Sequence, residues 1–169
     1  MNLAPSSADP FGRKDLIAGV VIVLVAFAIR CVQFGDPLIH VDENFYLLVG
    51  DRMLHGALPY VDIWDRKPVG LFLLFAGIRL LGGDGIVQYQ VVATLFAAGT
   101  GLVIARIAAP MAGRVAAVVA AIIYILLLGL AGGSGGQAPV FYNLFVAGAA
   151  LAVLTVLTRD APSEASVRP

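Results

Sequence analysis

Residues that could take part in catalysis or binding concentrate in one stretch, residues 35–68, of an otherwise apolar chain of 169 residues. Six of the eleven acids lie there, together with three cations, both histidines and the single tryptophan. Two clusters stand out within this stretch, one from His40 to Tyr46 and the other from Pro59 to Pro68. Carboxylates at a membrane surface can act as general bases or bind hard cations, because partial loss of water raises their basicity. Residues 35–68 are therefore the predicted chemical part of the protein.

The composition of the whole chain excludes several classes of protein. Hydrophobic residues make up 60% and charged residues 13%, and the formal net charge is zero. Soluble domains carry about 25% charged residues, so we expect an integral membrane protein. Eleven scattered cations are matched by eleven acids, which leaves no basic patch for nucleic acid. Cys31 is the only cysteine, so an internal disulfide is excluded.

Apolar runs predict an all-α fold with four membrane-spanning helices. A spanning helix needs about 20 residues, and the suitable runs are residues 16–34, 86–109, 115–130 and 141–158. A shorter run, residues 69–81, predicts an interfacial or re-entrant helix, and the alternative in which it forms a fifth span stays open. With four spans, the basic residues of the chain ends and of the short loops fall on one side, which the positive-inside rule makes cytoplasmic. These residues are Arg13, Lys14, Arg106, Arg114, Arg159 and Arg168.

The same pattern divides the chain into three parts. Residues 1–12 are expected to form a cytoplasmic tail, residues 13–158 a transmembrane module, and residues 159–169 a second cytoplasmic tail at which a longer protein is truncated. The module contains an outer loop, residues 35–85, predicted to face the periplasm from a bacterial inner membrane. In this loop Asp42 begins a predicted helix that runs to about His55 along the membrane surface.

The residues alone leave two interpretations of the loop open. In the first, its acids do chemistry and Arg66 with Lys67 holds a phosphate. In the second, the loop is solvated, its acids cap helices, as Asp42 would do as an N-cap, and its cations lie among lipid headgroups. His40 and His55 are interpreted as polar residues at headgroup level in both cases.

Taken together, the clusters resemble the first outer loop of glycosyltransferase family 39, the dolichyl-phosphate-mannose protein mannosyltransferases and their bacterial relatives. The residues that carry the resemblance are Asp42-Glu43 with Tyr46, then Leu54-His55-Gly56, then Pro59-Tyr60-x-Asp62-x-Trp64-Asp65-x-Lys67-Pro68. The resemblance covers residues 13–158, which correspond to the N-terminal third of a typical member. It implies the C-type glycosyltransferase fold.

The resemblance also implies a reaction and its residues. A hexosyl or pentosyl group would pass with inversion from a polyprenyl-phosphate donor to a hydroxyl of an acceptor protein, lipid or polysaccharide. Asp42 would be the general base, and Glu43 would orient the acceptor or the base. The residues implied for binding the lipid phosphate or positioning the loop are Tyr60, Asp62, Asp65, Arg66 and Lys67.

Two departures from the family pattern affect this expectation. The next outer loop, around residues 137–143, contains no acid. A divalent cation therefore stays an open alternative without support from a second acid, and no metal ligand is predicted. The chain reads Lys67-Pro68-Val69 where members usually read Lys-Pro-Pro. Together with the short length, the missing acid keeps a second hypothesis open: a non-catalytic membrane subunit or pseudoenzyme remnant that binds lipid-linked substrate or a partner helix bundle.

Overall fold

A computed structural model describes residues 12–159, and they form an all-helical protein. The helices are α1 (Arg13–Arg30), α2 (Val41–Leu54), α3 (Val69–Arg79), α4 (Ile86–Leu128) and α5 (Ala138–Arg159). A 3-10 turn, Cys31–Gln33, extends α1, and a wide turn, Gly129–Gly133, follows α4. The predicted all-α class is thereby confirmed. The predicted tails lie outside the described residues, apart from Gly12 and Arg159.

Three helical segments of the described chain are long and apolar enough to cross a membrane. They are Arg13–Gln33, Ile86–Gly133 and Ala138–Arg159. The eleven residues of α3 rise only about 16 Å at 1.5 Å per residue, roughly half of a hydrocarbon core of about 30 Å. On length alone, α3 is therefore too short to cross.

The longest helix, α4, reverses direction at Gly113. This glycine has φ 79° and ψ 170°, and Pro110 lies just before it. A side chain on Gly101 would lie 3.6 Å from Ala121 and 3.5 Å from Ile125, although a straight helix separates residues 101 and 121 by about 30 Å. The helix is therefore two antiparallel limbs, residues 86–112 and 114–128, and the reversal falls within the 110–114 break between two predicted spans.

Helix α1 lies along both limbs and defines two ends of the bundle. Its Ile22 and Ala26 pack against Ala98, Ala121 and Ile125. At one end, Arg114 Nε donates to Asp15 Oδ1 at 2.9 Å, and we call this the Asp15 end. At the other, Arg30 Nη1 donates to the Gly133 carbonyl at 2.8 Å, and we call this the Arg30 end.

Helices α2 and α3 pack in parallel at the Arg30 end. The Tyr46 ring lies 5.3 Å from the Phe75 ring. Further along both helices, Arg79 Nε lies 3.3 Å from Asp51 Oδ1. These contacts show that α2 and α3 run in the same direction. The connection between them, residues 55–68, therefore leads from the end of α2 back to the level of its start. Phe75 is fully buried and also contacts the rings of Tyr89 in α4 and Phe141 in α5, so the pair is joined to the bundle.

We expect Gly50→Ala to destabilise the protein by about 1–3 kcal/mol, the usual cost of overpacking. A Cβ on Gly50 would lie 2.6 Å from the Ala76 nitrogen and 2.7 Å from the Phe75 carbonyl carbon, and backbone atoms cannot rotate away. Thermal unfolding in lipid nanodiscs, followed by circular dichroism, measures the change.

Gly77→Ala in α3 is the matched control, because nothing lies within 4 Å of its Cβ position. It should leave stability unchanged or raise it by up to about 1 kcal/mol, since alanine favours helix over glycine. Equal unfolding temperatures for the two variants would contradict the close packing of α2 on α3.

Candidate functional site

The two sequence clusters meet at one buried tyrosine, Tyr46. Its hydroxyl donates to Asp42 Oδ2 at 3.3 Å, and the ammonium of Lys67 lies 5.7 Å from the centre of its ring. The return of residues 55–68 along α2 is what makes this possible, because Asp42 and Lys67 are 25 positions apart in sequence. A carboxylate and a cation thus flank a single phenol at the Arg30 end.

Asp42 lies in the first turn of α2, where the helix dipole favours negative charge. The residue that precedes the helix is His40, and its side chain makes no capping hydrogen bond. The interpretation of Asp42 as an N-cap is therefore wrong, because the helix begins one residue earlier, at Val41. Asp42 is exposed, so a molecule arriving from outside can reach its carboxylate.

Tyr46 is held by aromatic packing and remains a neutral phenol. Its ring is 1% exposed and contacts Phe72 and Phe75. Burial raises the pKa of Tyr46, and the nearby charge of Asp42 raises it further. The phenol consequently keeps its proton and can donate it in a hydrogen bond to Asp42. In the sequence, Tyr46 is recognisable only as part of a motif, and its position at the centre of the site was not predicted.

Three of the predicted binding residues shape the loop that carries Lys67. The Tyr60 hydroxyl donates to the Lys67 carbonyl at 2.6 Å, and the Lys67 backbone N–H donates to Asp65 Oδ1 at 2.8 Å. Asp62 Oδ2 accepts from the Leu58 N–H at 2.8 Å. Tyr60 itself has φ 69°, an uncommon conformation for a non-glycine residue. These contacts fix the backbone on both sides of the lysine.

Arg66, the remaining predicted phosphate-binding residue, lies next to Lys67 on the exposed surface of this loop. The loop thus presents a second cation beside the carboxylate–tyrosine–lysine group.

Glu43 faces the protein interior, away from the exposed surface on which Asp42 lies. Its side chain is fully buried, and Oε1 accepts from the backbone N–H of Gly136 at 2.9 Å. Within residues 12–159, Oε2 has no hydrogen-bond partner. Burial raises the pKa of Glu43, and its own backbone and that of Gly136 oppose this by hydrogen bonding. The structure thus places Glu43 in a contact between α2 and the turn before α5.

Arg30 is a key residue whose role sequence reasoning missed. Its guanidinium lies within the apolar run of residues 16–34 and is buried. It donates to Thr94 Oγ1 at 3.2 Å and to the carbonyls of Gly133 and Gly135. The available signal was its position inside an apolar run, because a charge there is costly unless it is paired within the protein.

Neither histidine joins a metal-binding group, and among residues 12–159 no cluster of three or more His, Cys, Asp or Glu could hold a metal ion. His55 Nδ1 lies 2.8 Å from the Asp51 carbonyl oxygen on the surface. The Nε2 atom of His40 is buried without a hydrogen-bond partner among the described residues.

No family model, curated protein or solved structure matches this chain. Its described part is an all-helical protein with three segments apolar enough to cross a membrane. At the Arg30 end it carries the exposed carboxylate of Asp42 beside Tyr46 and Lys67. A function has to be inferred from the geometry of that group.

Glu43→Gln should reduce the fall in stability that the protein shows as pH rises. An acid whose pKa is raised on folding binds more protons in the folded state, so stability decreases once pH rises above its ordinary value of 4.5. Glutamine keeps an oxygen for the Gly136 N–H and cannot ionise. Unfolding temperatures between pH 4 and pH 8, measured in nanodiscs, give the comparison.

The control is Asp36→Asn, an exposed carboxylate whose Oδ1 accepts from the Leu38 N–H and which asparagine can replace as an acceptor. The unfolding temperature of Asp36→Asn should change with pH in the same way as that of the unmodified protein. If the stability of Glu43→Gln changed with pH in parallel with both, Glu43 would carry no ionisation cost in the folded protein.

Proposed function

We propose that the protein is a multi-pass membrane glycosyltransferase that moves a sugar from a polyprenyl-phosphate donor to an acceptor hydroxyl. The observation that carries the proposal is the meeting of the exposed Asp42 and the half-buried Lys67 on either side of Tyr46. The resemblance of these clusters to the first outer loop of glycosyltransferase family 39 supplies the reaction class.

In this reaction Asp42 is the general base. The acceptor oxygen attacks the anomeric carbon, and its proton passes to the Asp42 carboxylate. The bond between that carbon and the phosphate oxygen breaks, and its electron pair leaves with the lipid phosphate. Lys67 and Arg66 stabilise the departing phosphate, because fixed cations lower the energy of charge that develops in the transition state. Attack opposite to the leaving group inverts the anomeric centre.

The other predicted residues position these groups. Tyr60 and Asp65 hold the backbone of Lys67, and Asp62 holds the Leu58 part of the same loop. Glu43 holds α2 against the turn before α5 and so fixes the direction of Asp42, its neighbour in sequence. This is a more indirect form of the orienting role that the family resemblance implies.

We propose four spans: α1, each limb of α4, and α5. Asp15 pairs with Arg114 at the reversal of α4, so the start of α1 and the reversal lie on one side. The basic residues on that side are Arg13, Lys14, Arg106, Arg114 and Arg159, which makes it cytoplasmic by the positive-inside rule. The site then faces the periplasm of a bacterial inner membrane, where α2 and α3 lie at the surface.

Asp42→Asn should reduce sugar transfer by at least about 100-fold, because general bases contribute roughly 100- to 10,000-fold to rates. Asparagine preserves the shape and the acceptor for Tyr46 but cannot take a proton. Transfer from a radiolabelled polyprenyl-phosphate sugar is measured in native membranes that contain the full-length protein.

Asp36→Asn is the matched control in the same loop and should transfer sugar at the unmodified rate. Retained activity in Asp42→Asn would remove Asp42 from the base role. If the unmodified protein binds polyprenyl phosphate and never transfers sugar, the proposal fails, and the alternative of a non-catalytic membrane subunit or pseudoenzyme remnant that binds lipid-linked substrate or a partner replaces it.

Tyr46→Phe tests whether the tyrosine positions the base. Phenylalanine keeps the packing with Phe72 and Phe75 and the ring beneath Lys67, and it removes only the hydroxyl. We expect kcat to fall about tenfold, the order of one hydrogen bond to a charged group, with KM for the donor and the unfolding temperature unchanged. A fall in stability with no change in kcat would assign Tyr46 a purely structural role.

A further inference from the structure

Helix α3 is apolar on every side, including the side that faces away from the protein. Its only polar side chain is that of Arg79, its last residue. This guanidinium turns toward α2, where Nε lies 3.3 Å from Asp51 Oδ1, and Nη1 donates to the Gly83 carbonyl. The inner side of α3 packs in the core, whereas Leu73 on the outer side is 56% exposed. A helix that is apolar all round belongs in a protein core or in a membrane, so the outer side of α3 requires an apolar environment.

Helix α2, which packs beside α3, has a polar outer side. Leu48 on α2 is 49% exposed, close to the exposure of Leu73, but the two leucines differ in their surroundings. Residues three and four positions away are neighbours on the surface of a helix. For Leu48 these neighbours include the polar residues Asn44, Asp51 and Arg52. For Leu73 all of them are apolar: Val69, Gly70, Ala76 and Gly77.

The apolar outer side of α3 continues beyond both ends of the helix. Before α3, Trp64 is 75% exposed and lies two residues from the exposed Arg66. After α3, Leu80 and Leu81 are exposed, and the chain then enters a segment long and apolar enough to cross a membrane, Ile86–Gly133. Tryptophan is enriched where lipid headgroups meet hydrocarbon. We call the exposed residues Trp64, Val69, Leu73, Leu80 and Leu81 the α3 face.

We propose that the α3 face docks on the hydrocarbon of the membrane leaflet at the Arg30 end, with Trp64 at the level of the headgroups and α2 on the water side. Surface helices bury an apolar face about 5–10 Å into this region. Because Lys67 follows Trp64 closely in sequence, docking holds the loop that carries Lys67 at headgroup level. The inference does not depend on the proposed transfer reaction, since it concerns the medium around α3 and not the chemistry at Asp42.

A partner helix or a second copy of the chain fits the α3 face less well than lipid does. Protein interfaces carry about one hydrogen bond per 100–200 Å² and a polar rim. From Val69 to Leu81 the outer side offers no polar side chain to fix such a contact, because Arg79 is turned to Asp51. A spanning partner could also contact the eleven residues of α3 over only about half of its own length. Lipid chains need neither polar groups nor a long contact.

The first test uses the unmodified full chain in nanodiscs, because Trp64 is its only tryptophan and reports its own surroundings. Phosphatidylcholine brominated near the headgroup end of its acyl chains should quench Trp64 fluorescence. The loss should be larger than that caused by phosphatidylcholine brominated near the chain ends or by iodide in the water. Quenching by iodide without quenching by brominated lipid would overturn the proposal.

The second test compares Leu73→Cys with Leu48→Cys, its matched control on α2. Each is made together with Cys31→Ser, because Cys31 is exposed, and each is labelled with a nitroxide. At position 73 we expect more collisions with oxygen, which concentrates in hydrocarbon, than with a water-soluble nickel chelate, and at position 48 the reverse.

Three results of this comparison would contradict the proposal. More collisions with nickel than with oxygen at position 73 would place the α3 face in water. Few collisions with either reagent there would assign the face to a protein partner or a second copy. An excess of oxygen collisions at both positions would contradict the division between a lipid-facing α3 and a water-facing α2.

Discussion

The binding of one glycine-rich turn by two buried charged residues is the interaction on which the rest of this structure depends. Arg30 donates to the carbonyls of Gly133 and Gly135, and Glu43 accepts from the N–H of Gly136. A buried charge costs several kcal/mol unless hydrogen bonds compensate. Here the backbone provides hydrogen bonds to the Arg30 guanidinium and to one of the two carboxylate oxygens of Glu43. Because the turn joins α4 to α5, these bonds connect α1 and α2 to the ends of two further helices.

The glycines in this turn are required by how closely the side chains approach. A Cβ on Gly135 would collide with Glu43 Oε1, and one on Gly136 would lie 2.7 Å from the ring of Tyr89. The close contact between Glu43 and this turn also explains why the adjacent acids Asp42 and Glu43 have different positions. Successive residues on a helix point about 100° apart, so Glu43 enters the interior and Asp42 is left at the surface. The buried acid thus sets the direction of its exposed neighbour.

Local patterns predicted the parts of this fold that depend on neighbouring residues. The apolar runs correspond to α1, the limbs of α4 and α5, and residues 110–114 contain the reversal because Pro110 and Gly113 both interrupt a helix. The parallel packing of α2 on α3 was not predictable in this way. It depends on Gly50, whose backbone contact with Phe75 and Ala76 joins residues 25 positions apart. The central place of Tyr46 and the burial of Arg30 follow from such distant contacts.

The contacts of α5 differ between the two ends of the bundle. Its buried residues are Val140 and Phe141, both in its first turn. In its most apolar stretch of 18 residues, only 11% of the residues are buried. Within the described chain, α5 is therefore anchored at the Arg30 end, next to the turn held by Arg30 and Glu43, while Leu151 lines an apolar groove between α1, α4 and α5 nearer the other end. Polar hydrogen bonds fix the end that carries the site. Beyond the first turn of α5, by contrast, most side chains are exposed, and the contacts with α4 are side-chain contacts such as the ring of Phe145 on that of Phe96.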